Sequence, residues 1–594
     1  MRTAPFQCNA SPEDARGKAF AAQARRPGDE MQKDQADTRR PWLAHYPAGV
    51  PETIDENSRE TIADILRHAA TAFADRPAAE SFGVRLTYSE LMKHAEDIAT
   101  GLQRLGLQKG DRIAIMMPNV MAYPAIMFGA LIGGYVVVNI NPLYTARELT
   151  HQVNDSGARV LFVLENFAHT VQEALEDLKA EMAVIVKPGD FIGFKGTIVN
   201  FVSRYIKGNV KPYKLPATLP MSNFLFFAQQ GKLTPVEIGP DDMAFLQYTG
   251  GTTGRAKGAI LLHRNIVANV NQCQAWLRSF AGERDDHVMV TALPLYHILA
   301  LTACCLFVAK LGGCQILIPN PRDFPAFVKA IKKVRMTMIV VVNTLANALA
   351  SRDDFKQVDF SQLAFAISGG MATQAAVAKK WKQVTGRPLI EGYGLSETSP
   401  VACVNRLDIE EFTGGVGYPV SSTDISIRND KGVEVAIGET GEICVKGPQV
   451  MAGYWNQPEE TAKSLTTDGY FRTGDVGLVS DDGLVRIVDR IKDMILVSGF
   501  NVYPNEVEDV LTQHPNISEA AVIGVPDGHS GEAVRAFIVT RDGTKMDEEE
   551  LRTWCREKLT GYKVPRQIET RESLPKTPVG KILRRELRDE VVKG

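Results

Sequence analysis

From Asp111 onward the chain alternates short apolar runs with longer stretches in which apolar positions recur at helical spacing. Runs at 112–117, 135–140, 159–164 and 183–186 predict strands. The pattern resumes after Asp241 with 243–248, 287–291, 315–318, 337–342 and 364–368. Strand–helix repetition over this length predicts mostly parallel sheets covered by helices, with ligands gathered at the C-terminal ends of strands. Between the two series, 189–231 is rich in Gly, Pro and Lys and reads as a long irregular excursion. From about Gly417 the pattern shortens to brief strands and tight turns, at 424–428, 441–446 and 478–488, which predicts a small β subdomain. The last hundred residues, with helices at 506–513 and 548–559 and strands at 520–524 and 534–539, read as a separate α+β unit.

Two charge-poor stretches, 118–146 and 288–309, are long enough to raise the question of membrane spans. Pro118, Pro124 and the pair Gly133-Gly134 interrupt the first, and Pro294 and His297 the second. An uninterrupted apolar helix is what spanning demands, so both are expected to be buried helix-plus-strand units of an α/β core. Residues 1–40 hold no apolar run that could serve as a signal-peptide core, and their acidic residues argue against a transit peptide. That segment reads as a disordered extension, with Met31 as an alternative start, and the cytoplasm is the default location. No amphipathic membrane anchor stands out.

At 594 residues the chain exceeds what one core usually organises, so at least two domains are expected. A net charge of -3 excludes a global basic field of the kind that binds nucleic acid. The eight cysteines show no CxxC pair and no metal-ligand spacing, and read as reduced thiols.

The strongest local signal is Leu246-Gln-Tyr-Thr-Gly-Gly-Thr-Thr-Gly-Arg-Ala-Lys-Gly258, directly after a predicted strand. Glycines let backbone N–H groups turn inward, hydroxyls donate to phosphoryl oxygens, and Lys257 supplies a mobile cation. The loop reads as a polyphosphate grip. It is not a Walker A loop, because Lys257 precedes Gly258 rather than Ser or Thr. A Gly/Thr-rich turn alone would more often be a plain connector.

The segment resembles the AMP-binding signature of the adenylate-forming enzymes, the family of acyl-CoA synthetases, luciferases and peptide-synthetase adenylation domains. Similar motifs recur in the family's order. Gly392-Tyr-Gly-Leu-Ser-Glu-Thr398 is similar to the second core motif and Tyr470-Phe-Arg-Thr-Gly-Asp475 to the ribose motif. Asp489-Arg-Ile-Lys-Asp493 is similar to the hinge, and Pro575-Lys-Thr-Pro-Val-Gly-Lys581 to the C-terminal lysine motif. The resemblance runs from about Trp42 to Gly594 and is closest to bacterial long-chain fatty-acid:CoA ligases. It implies an α/β fold with a large N-terminal domain of mostly parallel sheets with helices plus a small β subdomain, over 41–490, and a mobile C-terminal α+β domain, over 491–594.

The resemblance also implies roles. Thr249, Gly250, Gly251, Thr252, Thr253, Gly254 and Lys257 would hold the phosphates of ATP, with Ser396 adding a hydroxyl. Gly369, Gly370, Tyr393 and Gly394 would flank adenine, while Asp475 and Arg490 would meet the ribose and α-phosphate. Glu397, with Thr252, would bind Mg2+, a hard ion that takes carboxylates and substrate phosphates. Lys581 would stabilise the charge that grows at the α-phosphorus, so that Lys581, Lys257 and Glu397 form the catalytic set. His297, Asn343 and Gly392 would line an acyl pocket, where each buried CH2 contributes about 0.8 kcal/mol and long chains gain most. Lys492 maps to the hinge, and rotation there would bring Ser498 and Gly499 to coenzyme A. Arg472 departs from the family, in which histidine is more frequent at that place.

The activity implied is ATP-dependent ligation of a long-chain fatty acid to coenzyme A through an acyl adenylate, releasing AMP and pyrophosphate. Rivals are a medium-chain or aryl acid:CoA ligase, a fatty acyl-AMP ligase serving a carrier protein, and a membrane-bound fatty-acid carrier with a degenerate nucleotide site. Intact Lys257, Glu397, Asp475 and Lys581 speak against the last. Fatty acid, ATP and CoA are the expected partners, with no nucleic acid. Peripheral contact with the inner face of the membrane and the oligomeric state stay open.

Overall fold

Alternating apolar strands and amphipathic helices build two large sheets in the computed structural model, which describes residues 40–593 apart from 217, 250–255, 282–284, 529, 542, 544 and 578–579. The expectation of disorder for residues 1–40 therefore falls almost wholly outside the described residues. Trp42–Gly594 forms one compact body.

One sheet pairs the strands Arg112–Met116, Val136–Ile140, Ala158–Leu164, Met182–Val186 and Met243–Thr249 in parallel, and continues with the antiparallel strands Lys257–Leu262 and Gly453–Tyr454. The other aligns Val288–Thr291, Cys314–Leu317, Met338–Val341, Phe365–Ser368 and Leu389–Gly394 in parallel, with Val401–Val404 and Tyr418–Pro419 added antiparallel. These strands lie within a residue or two of the apolar runs, because a strand covered on both faces must be apolar at nearly every position. The small β subdomain is a four-stranded antiparallel sheet of Asp424–Arg428, Gly441–Lys446, Phe471–Val479 and Val485–Arg490.

Both charge-poor stretches are interior. The helix Ala122–Ile132 is buried at every residue and feeds the fully buried strand Val136–Ile140. The second stretch divides into the strand Val288–Thr291 and a short helical run from Ile298 to Lys310. No helix among the described residues is long and apolar enough to cross a membrane.

The 189–231 excursion is a correction. It contains the helix Gly193–Phe201, continued by a wider turn at Val202–Ile206, then the strand Thr218–Pro220 and the helix Met221–Ala228. Its glycines and prolines punctuate elements rather than replace them, which composition does not distinguish.

Past Arg490 the chain builds its own core. Ile495, Val507, Leu511, Val522, Ile538 and Leu551 pack together, and Ala521, Ile523, Phe537, Leu574 and Leu587 form a second cluster on the other side of the same sheet. The long antiparallel pair Ile517–Asp527 and Gly531–Thr540 carries both. Seven cysteines, from Cys273 to Cys555, are free thiols.

Candidate functional site

The parallel strands of the second sheet run side by side, so the loops after them open into one cavity of about 1630 Å3. Strand Met338–Val341 delivers Asn343, Phe365–Ser368 delivers Gly369 and Gly370, and Leu389–Gly394 carries Gly392, Tyr393 and Gly394 with Ser396 and Glu397 just beyond. His297 joins them from the loop after Thr291, and Thr249 from the end of the strand Met243–Thr249. Asp475, Arg490 and Lys492 enter from the small sheet and its exit, and Lys581 from the C-terminal unit. Ligand sites at the carboxyl ends of parallel strands are the general outcome of this architecture.

The phosphate-loop candidates Gly250, Gly251, Thr252, Thr253 and Gly254 lie outside the described residues. What is described are its two ends: Thr249 and Lys257 face each other across an antiparallel pair, and both line the cavity. Lys257 is ion-paired with Glu460, whose carboxyl is held down to about 2 chiefly by that hydrogen bond, and its ammonium lies 5.2 Å from the Tyr454 ring centre. Glu460 had no signal in the motif pattern.

Glu397 is buried in a single helical turn, Ser396–Thr398. Its Oε1 accepts from the Tyr454 hydroxyl at 2.8 Å and lies 3.5 Å from Thr249 Oγ1. Burial pushes its carboxyl up from the ordinary carboxylate range. The turn depends on Gly394, where a Cβ would stand 1.7 Å from the Pro400 carbonyl oxygen. A buried carboxylate partnered by hydroxyls suits a hard divalent ion that takes its remaining ligands from phosphate and water. Among the described residues no group of three or more His, Cys, Asp or Glu side chains forms a self-contained metal cage.

Asp475 and Arg490 are cross-strand neighbours in the small sheet. Asp475 Oδ1 binds Arg490 Nε at 2.9 Å and Oδ2 accepts from the Tyr393 hydroxyl at 2.8 Å. Although burial opposes it, the Asp475 charge holds the Arg490 guanidinium above its usual value. Arg472, the departure from the family pattern, binds Glu442 through Nε at 2.9 Å and Nη2 at 2.7 Å, while Glu442 Oε1 accepts from the Gly474 backbone at 3.1 Å. Arg472 thus braces the turn that presents Asp475.

Lys581 closes the site. It sits at the end of a tight turn in which Thr577 N donates to the Lys581 carbonyl at 2.7 Å and Lys581 N to Thr577 Oγ1 at 3.0 Å. The turn rests on the rest of the protein through Thr344 Oγ1, which donates to the Gly580 carbonyl at 3.4 Å, and Arg322 Nη2, which donates to the Thr577 carbonyl at 3.4 Å. Gly580 has φ of +85°, and a Cβ there would come 2.3 Å from Thr344 Oγ1, so no other residue fits unstrained. Burial, followed by the Arg490 charge, lowers the Lys581 ammonium to about 8. Burial, then Lys581, lowers His297 to about 4, and its Nδ1 accepts from Leu299 N at 3.3 Å. Asn343 Oδ1 accepts from Gln374 N at 3.0 Å.

Lys492 lies at the cavity edge, and burial followed by the Arg490 charge lowers its ammonium. On either side of it, Arg584 bridges Glu508 at 2.7 Å, Asp493 at 3.3 Å and Asp489 at 3.7 Å. Ser498 and Gly499 are not brought to the cavity. They form the exposed tip of a hairpin, both at positive φ, with Ser498 N donating to the Ser530 carbonyl at 2.7 Å.

The motif reading missed Glu391. It is buried beside Gly392, lines the cavity, and its Oε2 has no hydrogen-bond partner among the described residues; burial pushes its carboxyl up to about 8. The signal was a charged residue in a strand otherwise apolar.

The chain matches the AMP-binding enzyme family over residues 66–455 and the AMP-binding enzyme C-terminal domain over residues 506–581. This chain belongs to the AMP-binding enzyme family. Among its relatives, the long-chain-fatty-acid–CoA ligase of Salmonella typhimurium (strain LT2) is 49% identical over 551 residues, covering 92% of this chain and 98% of that protein. The long-chain-fatty-acid–CoA ligase of Yersinia pestis is 49% identical over 554 residues, covering 93% and 98%. The crystal structure of an anthranilate CoA ligase in complex with anthranoyl-AMP superposes with a TM-score of 0.78 at 26% identity, covering 90% of this chain and 97% of that one.

Proposed function

We propose that this chain ligates a long-chain fatty acid to coenzyme A, using ATP to form an acyl adenylate and releasing pyrophosphate and then AMP. The observation that carries this reading is Lys581: a lysine from the C-terminal unit, half-buried in the cavity that also holds Asp475, Tyr393 and Glu397.

Each residue then has a task. Tyr393 and the Gly369–Gly370 backbone flank the adenine, and the unpartnered Glu391 oxygen accepts from its exocyclic amine. Asp475 accepts from the ribose hydroxyls, and Arg490, already paired to it, faces the α-phosphate. Glu397, with Thr252 and the hydroxyl of Thr249, would hold Mg2+, which supplies charge neutralisation at the phosphates. Gly250, Gly251, Thr252, Thr253, Gly254 and Ser396 offer donors to the phosphate oxygens, and Lys257 exchanges Glu460 for phosphate. The carboxylate of the acid attacks the α-phosphorus, the bond to pyrophosphate breaks, and Lys581 stabilises the charge that accumulates in between. His297, neutral at physiological pH, and Asn343 position the carboxylate. Gly392, with no side chain, leaves room beside it.

The cavity is bounded by Met289, Ala303, Phe307, Val340 and Ile367, an apolar wall that suits an alkyl chain. For the thioester step, coenzyme A must approach where Lys581 stands. We assign 41–490 as the fixed domain and 491–594 as the moving one, turning at Lys492 so that the Ser498–Gly499 tip replaces the Lys581 turn. The acid is drawn from a membrane surface on the cytoplasmic side, where long-chain acids reside.

A screen of acids of graded chain length with ATP, Mg2+ and CoA, read by pyrophosphate and AMP release, tests the reading. Turnover best with long-chain acids and AMP release that requires CoA are expected. A preference for aryl acids, as the structural likeness to an anthranilate ligase would suggest, or CoA-independent AMP release would overturn the substrate or the acceptor.

A further inference from the structure

In a helix on the surface of a water-soluble fold the large apolar side chains ordinarily face inward. The helix Gly193–Phe201 with its continuation Val202–Ile206 does the reverse. Apart from the partly buried Val199, which packs on the core, its inward positions are small or polar. Gly196 is buried against Gly189, where a Cβ would lie 2.0 Å from the carbonyl oxygen; Asn200 Oδ1 accepts from Gly189 N at 2.7 Å; Ser203 is buried; and Arg204 pairs with the buried Glu165 at 3.2 Å. Its outward positions are Phe194, 84% exposed, Ile198, 52%, Phe201, 56%, Tyr205, 70%, and Ile206, 67%. These are five of the fifteen large apolar side chains that stand exposed among the described residues, concentrated in one short helical run. Lys195 reaches the Gly83 carbonyl at 3.4 Å, which sets the exposed Phe82 turn beside the same ridge.

The charge around the ridge has one sign. From 191 to 236 the chain carries Lys195, Arg204, Lys207, Lys211, Lys214 and Lys232 and no acidic residue, although its net charge is -3. Lys195, Lys207, Lys211 and Lys214 are exposed. A ridge of protruding aromatic and aliphatic side chains flanked by lysines matches an anionic lipid interface, in which rings sit at headgroup depth and ammonium groups meet phosphates. A second copy of the chain is the poorer partner, because a two-fold contact would set two lysine-flanked ridges against each other.

We propose that the 193–206 helix docks this protein on an anionic membrane surface, with Phe194, Ile198, Phe201 and Tyr205 entering the interface and Lys195, Lys207, Lys211 and Lys214 facing the headgroups. This deepens the functional reading above and rests on it for its purpose, namely delivery of a lipid-borne acid. Binding and ligation are measured separately, so either can fail without the other.

The test is co-sedimentation of the full chain with vesicles of phosphatidylcholine alone and of phosphatidylcholine with phosphatidylglycerol. Two variants accompany the wild type: Phe194→Ser with Phe201→Ser and Tyr205→Ser, and Lys195→Glu with Lys207→Glu and Lys211→Glu. Wild type is expected to bind the anionic vesicles, to release them as salt rises, and to bind neutral vesicles weakly. Each variant is expected to lose about ten-fold in partition coefficient. Thermal unfolding and vesicle-free pyrophosphate release should stay at wild-type levels in both. Wild-type failure to bind anionic vesicles, or undiminished binding by both variants, would overturn the proposal. So would sedimentation velocity showing a wild-type dimer that the apolar variant turns to monomer.

Discussion

Two walls of the cavity are built differently. On the nucleotide side, Tyr393, Asp475 and Arg490 are bonded to one another across two sheets, and the turn before Asp475 is braced by Arg472 and Glu442. The Lys581 turn beside them is, among the described residues, hydrogen-bonded to Thr344 and Arg322, and its Gly580 fits against Thr344 only because it lacks a Cβ. The first wall is preorganised. The second delivers one ammonium group from the C-terminal unit. The difference bears on the proposed exchange between two reactions: the side chains proposed to stay are cross-linked, while among the described residues the turn proposed to leave is held through hydrogen bonds of 3.4 Å to Thr344 and Arg322.

The largest expected effect is on the delivered group. Lys581→Ala should lower the adenylation rate by about 10²–10³-fold, the usual cost of removing one preorganised charge at a reacting centre. Consumption of a preformed acyl adenylate with CoA should stay near wild type. Measuring both half-reactions decides it, and equal loss in the two would mean that the walls do not divide the work.

Next comes the braced wall. Asp475→Ala leaves the part-buried Arg490 without this partner and removes the acceptor of Tyr393, which should weaken ATP binding by about 10²-fold. Isothermal titration with a non-hydrolysable ATP analogue reads this directly. Gly580→Ala, strained at positive φ and crowded against Thr344, should slow adenylation by about ten-fold while sparing thioester formation. Retention of full adenylation would show that the turn does not dock as described.

Protonation offers a milder test. A lysine lowered to about 8 is charged below that pH and neutral above it, so the charge it contributes is lost as pH rises through about 8. The adenylation kcat/KM for ATP should fall on that limb, and the limb should vanish in Lys581→Arg. His297, lowered to about 4, is neutral throughout and should add no limb of its own between pH 6 and 9. The smallest effect belongs to Arg472→His: its pair with Glu442 is half-exposed, and the change should alter kcat/KM by about five-fold or less.

Much of this was legible along the chain. Fully buried strands are continuous apolar runs, so Val136–Ile140 and Met338–Val341 announced themselves. The 189–231 segment was not legible, since a helix that turns Phe194 and Phe201 outward and Gly196 inward carries a pattern that ordinarily predicts the opposite orientation. Tyr454 and Glu460 were missed because nothing local distinguishes a tyrosine and a glutamate that meet Glu397 and Lys257 from far along the chain. Glu391 left a faint trace, one carboxyl in an apolar strand.

By itself the sequence determined the alternation of strand and helix, the order of the motifs and the residue types able to grip a nucleotide, because these depend on near neighbours. Only the tertiary structure decided that Lys581 stands with Asp475 rather than in solvent, that Arg472 braces Gly474, and that the 193–206 helix shows its apolar side to the outside. Those are facts about which surfaces meet, and that is settled by packing between segments hundreds of residues apart.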